Sequence, residues 1–187
     1  MENAYRRKKQ PERVRRTLLD AAARLAVEEG LAGVTVQAVA DAAGVTKGGL
    51  LHHFPSKQTL IEAVFADLLQ QLDAEIDTYM TADAERHGSF TRAYVQAVFA
   101  DYERGDGSPW APLSVSMISD PSLRRLWSGW LQERLERHRG TDAGVTLELV
   151  RRAADGIWLA CLMKTEGIVS VDLPALCAPL LAMTKRQ

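Results

Sequence analysis

Val34-Thr35-Val36-Gln37-Ala38-Val39-Ala40-Asp41-Ala42-Ala43-Gly44-Val45-Thr46-Lys47-Gly48-Gly49-Leu50-Leu51-His52-His53-Phe54 is the most informative stretch of the chain. Its apolar spacing predicts one short helix over about Val36–Ala43 and a second over about Lys47–His53, separated by Gly44-Val45-Thr46. Thr35 and Thr46 stand where helix N-caps belong, and Gly44 where a chain leaving a helix needs a conformation that side chains resist. Val36, Val39, Ala40 and Ala43 on the first helix can face Leu50 and Phe54 on the second. That packing fixes the angle of a helix-turn-helix and leaves the second helix free to enter a DNA major groove.

The outward chemistry points the same way. The hydroxyls of Thr35 and Thr46, and the free N–H groups of the helices they start, can donate to phosphate. Lys47 lies in the first turn of the second helix. Gly48 and Gly49 each cost about 1 kcal/mol relative to alanine inside a helix. Close approach of backbone to DNA is a reason to keep them there. Lys57, after the break at Pro55, is placed for another phosphate. Upstream, Arg6, Arg7, Lys8, Lys9, Arg13, Arg15 and Arg16 form a basic arm of the kind that binds phosphate without sequence preference or enters a minor groove.

Whole-chain composition hides this signal. The 187 residues are 47% hydrophobic and 25% charged, enough to bury a core and too apolar for a disordered chain. A formal net charge of −1, taken alone, argues against a nucleic-acid binder. Residues 1–60, however, hold 10 Lys/Arg against 6 Asp/Glu, whereas 61–187 hold 13 against 18. A small basic part is followed by a larger acidic one, as for two jobs in one chain. Cys161 and Cys177 match neither a disulfide framework nor a zinc pattern. Met1 to Gln10 show no secretory signal. The apolar windows Ile157–Met163 and Leu173–Met183 fall short of the roughly 20 residues a membrane span needs. The expectation is a soluble protein of the reducing cytoplasm.

Helical periodicity continues on both sides. Val14, Leu18, Ala21, Ala22 and Leu25 draw one apolar stripe, ended by Gly30. A long helix starts at Ser56 and reaches about Ala82, with Leu60, Val64, Leu68, Leu72, Ile76 and Met80 every four residues. Further helices are predicted at about Phe90–Arg104, Leu123–Arg139, Thr146–Thr165 and Leu173–Lys185. Connections are predicted at Gly105–Pro112, Asp120–Pro121, Gly140–Gly144 and Gly167–Asp172. Ile168–Val171 is β-branched but too short to count as a strand. The fold class expected is all-α.

The first sixty residues resemble the tetracycline-repressor (TetR) family of bacterial transcription regulators. The resemblance rests on Leu18-Leu19-Asp20-Ala21-Ala22, Val27-Glu28-Glu29-Gly30, Val34-Thr35-Val36 and Val39 to Gly48. It ends on Leu50 and His53-Phe54-Pro55-Ser56-Lys57-Gln58-Thr59-Leu60. It implies a homodimer with three N-terminal DNA-binding helices and a larger helical domain for ligand sensing and dimerisation. In domain terms, 1–11 is the arm, 12–60 the DNA-binding domain and 61–187 the regulatory domain. By position in the motif, Thr35, Gln37, Thr46, Lys47, Gly48, Gly49, His52 and Lys57 are the implied DNA contacts. The sequence departs from the family at Leu51, where a tyrosine that often touches phosphate is usual.

The alternatives have little support. Ser114 and Ser116 lie in no nucleophile elbow, no Gly-rich phosphate loop occurs, and His87 and His138 have no carboxylate partner at metal-ligand spacing, so neither an enzyme nor a bound metal or cofactor is expected. His52 and His53 are adjacent and do not face one another on a helix. All four tryptophans fall in the acidic part. Core packing is their default role, yet effector pockets are mostly apolar and aromatic, which makes Trp110, Met117, Trp127, Trp130, Trp158 and Met163 candidates to line one. Glu166, His138 and Asp155 are candidate polar contacts. The last two predicted helices carry broad apolar surfaces (Val150, Ile157, Trp158, Cys161, Leu162; Leu173, Leu176, Leu180, Leu181) that either pair two chains or close the monomer's own core. The function expected is a DNA-binding regulator, most simply a ligand-responsive repressor of a palindromic operator released by a small, mainly apolar molecule. A non-regulatory small-molecule-binding or interaction module that keeps a DNA-binding head, and an activator, are the competing readings.

Overall fold

The computed structural model describes residues 2–105, 108–163 and 172–186, with side chains from residue 11 onward except that of residue 173. Ten α-helices and a 3-10 turn are found among them: α1 (Glu2–Gly33), α2 (Val36–Ala42), α3 (Lys47–His53), α4 (Lys57–Ala82), α5 (Ser89–Arg104), α6 (Trp110–Ser119), α7 (Pro121–Arg137), α8 (Arg139–Asp142), α9 (Val145–Met163), the turn Leu173–Leu176, and α10 (Cys177–Met183). No strand occurs among the described residues, and none of their helices is long and apolar enough to cross a membrane. The basic residues Arg6 to Lys9 lie on helical backbone, their side chains outside the description, as are Glu166 and Ile168–Val171.

Two compact units are formed: Met1–Leu68 with Pro109–Leu126, and Leu69–Ser108 with Trp127–Gln187. In the first, Leu18, Ala21, Ala22 and Leu25 of α1 are buried as their spacing predicts, together with Val34, Val39, Ala40, Leu50, Phe54, Leu60 and Phe65. Gly30 breaks α1 at φ +69°, a backbone angle that favours glycine, and one further turn carries the chain to Gly33. Ser56 and Thr59 cap the start of α4 reciprocally: the Thr59 amide donates to Ser56 Oγ at 3.1 Å and the Ser56 amide to Thr59 Oγ1 at 2.9 Å.

Helix α6 departs from the sequence prediction, which placed a connection over Gly105–Pro112. Pro109 is instead the N-cap of α6 and Pro112 its third residue. In a first turn the amides have no intrahelical acceptor, so proline forfeits nothing there. α6 packs against α1, and Trp110 sets its ring edge-on to Phe65 at 5.9 Å.

The second unit is built on α5 packed against α9, with α10 alongside. Its core holds Ile76, Phe90, Tyr94, Val95, Phe99, Val150, Ala154, Ile157 and Leu180. The predicted helix Leu173–Lys185 resolves into the 3-10 turn and α10, and Gly140 sits inside the four-residue α8 rather than in a connection.

Buried polar groups pin this unit. Asp142 Oδ1 accepts from the Thr91 amide and from Thr91 Oγ1, both at 2.8 Å, and so caps the start of α5 from a distant part of the chain. Arg92 donates to Asp83 at 2.7 Å, to the His87 carbonyl at 2.8 Å and to Thr184 Oγ1 at 3.2 Å, tying the segment before α5 to the end of α10.

His138 stacks on Phe90 (5.3 Å between centroids, 10° between planes), and its Nε2 is buried without a hydrogen-bond partner among the described residues. Burial, then the Arg134 charge, hold its pKa below the ordinary imidazole value, outweighing the opposing pull of Asp142 and Asp77. The unfolded chain therefore takes up the proton first. Stability is full above the unfolded value of about 6.5 and declines as pH falls through it toward the folded value. His138→Phe keeps the ring stack and removes the titration. Denaturant melts should show a smaller loss for this variant than for wild type between about pH 6.5 and 5. Equal losses would exclude His138 as the cause.

Candidate nucleic-acid interface

Both predicted caps form. Thr35 Oγ1 accepts from the Ala38 amide at 3.1 Å, and Thr46 Oγ1 from the Gly49 amide at 3.0 Å. A threonine hydroxyl that accepts in this way still has its own proton to donate. Both residues are exposed, so each can cap its helix and bond an outside oxygen at once. Gly44 turns the chain at φ +67°. The apolar contact between the two helices forms as expected, with Val39, Ala40, Leu50 and Phe54 buried and Val36 and Ala43 half-buried.

α3 is left with an open face. Lys47, Gly48, Leu51 and His52 are all exposed. The two glycines differ in a way the sequence did not distinguish. A Cβ on Gly48 would meet nothing within 4 Å, whereas one on Gly49 would come within 3.3 Å of Thr46 Oγ1, the cap of its own helix. That cap crowds a side chain at Gly49, whereas no neighbour among the described residues does so at Gly48.

The remaining predicted contacts are found in different states. Gln37 is exposed, and its amide donates to Asp41 at 2.8 Å, which orients it. Lys57 donates to the Leu31 carbonyl at 3.1 Å, bracing the end of α1, and has two further protons for an anion. Arg15 lies over the Phe54 ring, 5.2 Å from its centroid, so one arm residue is held at the edge of the helix-turn-helix. Arg16 instead bonds Asp20 and Asp67, the latter at 2.6 Å, and ties α1 to α4. A run of like charges in the sequence says nothing about partners fifty residues away.

The residues proposed for an effector pocket divide between the units. Trp110 and Met117 lie in the first, on α6; Trp127, Trp130, Trp158 and Met163 lie in the second. Trp127 and Trp130 touch at 5.1 Å and lean on the core of their unit, and the Trp130 indole donates to Asp73 at 2.7 Å. Trp158 is half-buried and Met163 exposed. Asp155 accepts from the Tyr94 hydroxyl at 2.5 Å. Ser114 and Ser116 both donate to backbone carbonyls of α6. Among the described residues, no group of three or more His, Cys, Asp or Glu side chains is placed to hold a metal. An apolar groove of about 340 Å³ runs along α9 and the C-terminal segment, lined by Ala153, Gly156, Ile157, Ala160, Leu176, Pro179 and Leu180.

Comparison with known proteins agrees with this architecture at both ends. Residues 18–64 match the bacterial regulatory proteins of the tetR family, and residues 88–185 match a tetracyclin repressor-like C-terminal domain. The chain is 38% identical to the HTH-type transcriptional repressor KstR2 of Rhodococcus jostii (strain RHA1), over 86% of this chain and 85% of that protein. It is 32% identical to the HTH-type transcriptional regulator BetI of Burkholderia mallei (strain NCTC 10229), over 82% and 84%. Multidrug binding protein EbrR, solved in complex with malachite green, shares the fold with a TM-score of 0.69 at 20% identity, over 92% of this chain and 98% of that one. The basic helix-turn-helix head and the helical body that follows it are those of a transcriptional regulator, and the chain belongs to the tetR family.

Proposed function

We propose that this regulator is a repressor that binds a palindromic operator as a homodimer and leaves it when a small, mainly apolar molecule binds the second unit. The observation that carries the reading is the open face of α3: two capped helices hold each other by buried apolar contacts while Lys47, Gly48, Leu51 and His52 remain exposed on one side of the second. KstR2 supports repression as the direction of control, since that relative is described as a repressor. EbrR supports an aromatic or apolar effector, since the same fold holds malachite green there.

The dimer is supported by the α9 surface. Ala153, Gly156 and Ala160 are small, so a second helix can approach closely, and Leu149, Leu159, Met163 and Met183 are exposed large apolar residues on α9 and α10. Two recognition helices in a symmetric dimer reach half-sites about 34–36 Å apart, or a multiple of that. An effector that favours a state with a different separation lowers operator affinity by its differential preference for that state.

Selection of bound sequences from a random pool of double-stranded DNA, with the full chain, tests the reading. The expected product is a palindrome whose binding weakens steeply as salt rises, because several phosphate contacts release counterions. Sedimentation without DNA should show a dimer. Failure to enrich any sequence, or a flat salt response, would overturn the function.

A further inference from the structure

We propose that Leu51 is a specificity-determining residue that reads the C5-methyl group of a thymine in each operator half-site, with Gly48 permitting the approach. The inference rests on the DNA-reading function proposed above and adds what that site prefers. Leu50 and Phe54 fill the inward side of α3 and are buried, whereas Leu51 keeps 36% of its surface exposed. Lys47, Gly48, Leu51 and His52 recur at helical spacing and share one side of the helix over two turns. Leu51 is the single large apolar group on that side, between a cation and an imidazole.

Leucine has no hydrogen-bonding group, so it can hold neither a phosphate nor a polar base edge. In the major groove the one apolar group on any base pair is the methyl of thymine. Gly48 is the neighbour of Leu51 one turn back, and a Cβ there would meet nothing within 4 Å among the described residues. Its bare backbone lets the helix sink toward the base edges, which brings the Leu51 side chain into contact range. The exposed leucine and the glycine that packing does not require are explained together by one base.

The test uses the selected operator and the full chain. Each thymine of a half-site is replaced in turn by deoxyuridine, which pairs identically and lacks only the methyl group. At one thymine position the replacement should weaken wild-type binding about four-fold, the effect of losing one buried methyl group. Leu51→Ala should bind the thymine operator more weakly and lose less than about two-fold on the same replacement, because the partner of the methyl group is gone. If Leu51→Ala does not keep the helical circular dichroism of wild type, the polar Leu51→Gln takes its place. A selected half-site without thymine overturns the proposal, as does a wild-type protein indifferent to every replacement or a Leu51 variant that keeps the full four-fold loss. A pool that enriches no sequence at all instead overturns the DNA-reading function.

Discussion

Gly48→Ala is expected to make the protein more stable and its operator binding weaker. The two signs come from different sides of the same residue. A methyl group at this position meets nothing within 4 Å among the described residues. Gly48 is the second residue of α3, where alanine is preferred to glycine by about 0.5–1 kcal/mol. Thermal melting without DNA should therefore rise by a few degrees, at about 2–4 °C per kcal/mol for a chain of this size. Against DNA the same methyl group stands between the backbone and the base edges. A loss of at least about ten-fold in affinity is expected, equivalent to about 1.4 kcal/mol. Gly48→Glu sharpens the contrast: the longer, negative side chain meets open solvent in the free protein and a polyanion in the complex, so the loss should reach about a hundred-fold or more at low salt. Titration of each variant against the selected operator, beside its melting curve, reads both signs. A Gly48→Ala protein that binds as tightly as wild type would place this face of α3 away from DNA. A variant that is destabilised would mean that the glycine serves the fold after all.

The helix-turn-helix was legible because its determinants are local. A threonine cap, an apolar pair three or four residues on and a glycine turn act within a few residues of one another. The predicted Lys47–His53 is the observed α3, and Val36–Ala42 differs from its prediction by one residue. Thr35 and Thr46 bond the amides that a cap must bond. α6 was illegible because Pro109 and Pro112 read as a break, and nothing local says that both fall where a helix start tolerates them. The two glycines of α3 looked alike because a sequence does not show what a missing Cβ would touch. The buried polar ties escaped for a related reason. Periodicity assigns charged residues to the solvent side, whereas Arg92, Arg134 and Arg151 are buried and meet partners far along the chain. The ring of Trp130 makes it a candidate to line a pocket, but the sequence does not show that its indole N–H is committed to Asp73.

That commitment leads to the largest stability effect expected in the second unit. Arg134 is only 2% exposed, and Asp73 meets it twice, through the carboxylate to Nε and through the backbone carbonyl to a terminal nitrogen at 2.9 Å. The same carboxylate oxygen accepts from Trp130, so one group on α4 satisfies two donors on α7. Asp77 completes the set at 2.7 Å, but its side chain is 58% exposed. Burial disfavours the Arg134 charge; the hydrogen bonds that it donates to Asp77 and Asp73 outweigh that and keep its pKa above the ordinary value. Asp73→Ala leaves a buried guanidinium with the residue-73 carbonyl and one partly hydrated carboxylate, that of Asp77, and strands the indole N–H. Breaking a buried pair from one side costs about 3–5 kcal/mol, and the 33% exposure of Asp73 puts this case near the lower end. A fall in melting temperature of about 6–12 °C follows for a chain of this length. Asp77→Ala removes an exposed carboxylate and should cost no more than about 1 kcal/mol. The ratio between the two variants is the informative quantity. Similar losses would mean that the Arg134 charge is hydrated, and that α4 and α7 are held by apolar packing with the ion pair as a bystander. A large loss confined to Asp73 would mean that this one carboxylate, shared by the Trp130 N–H and the Arg134 guanidinium, holds α7 to α4 within the unit.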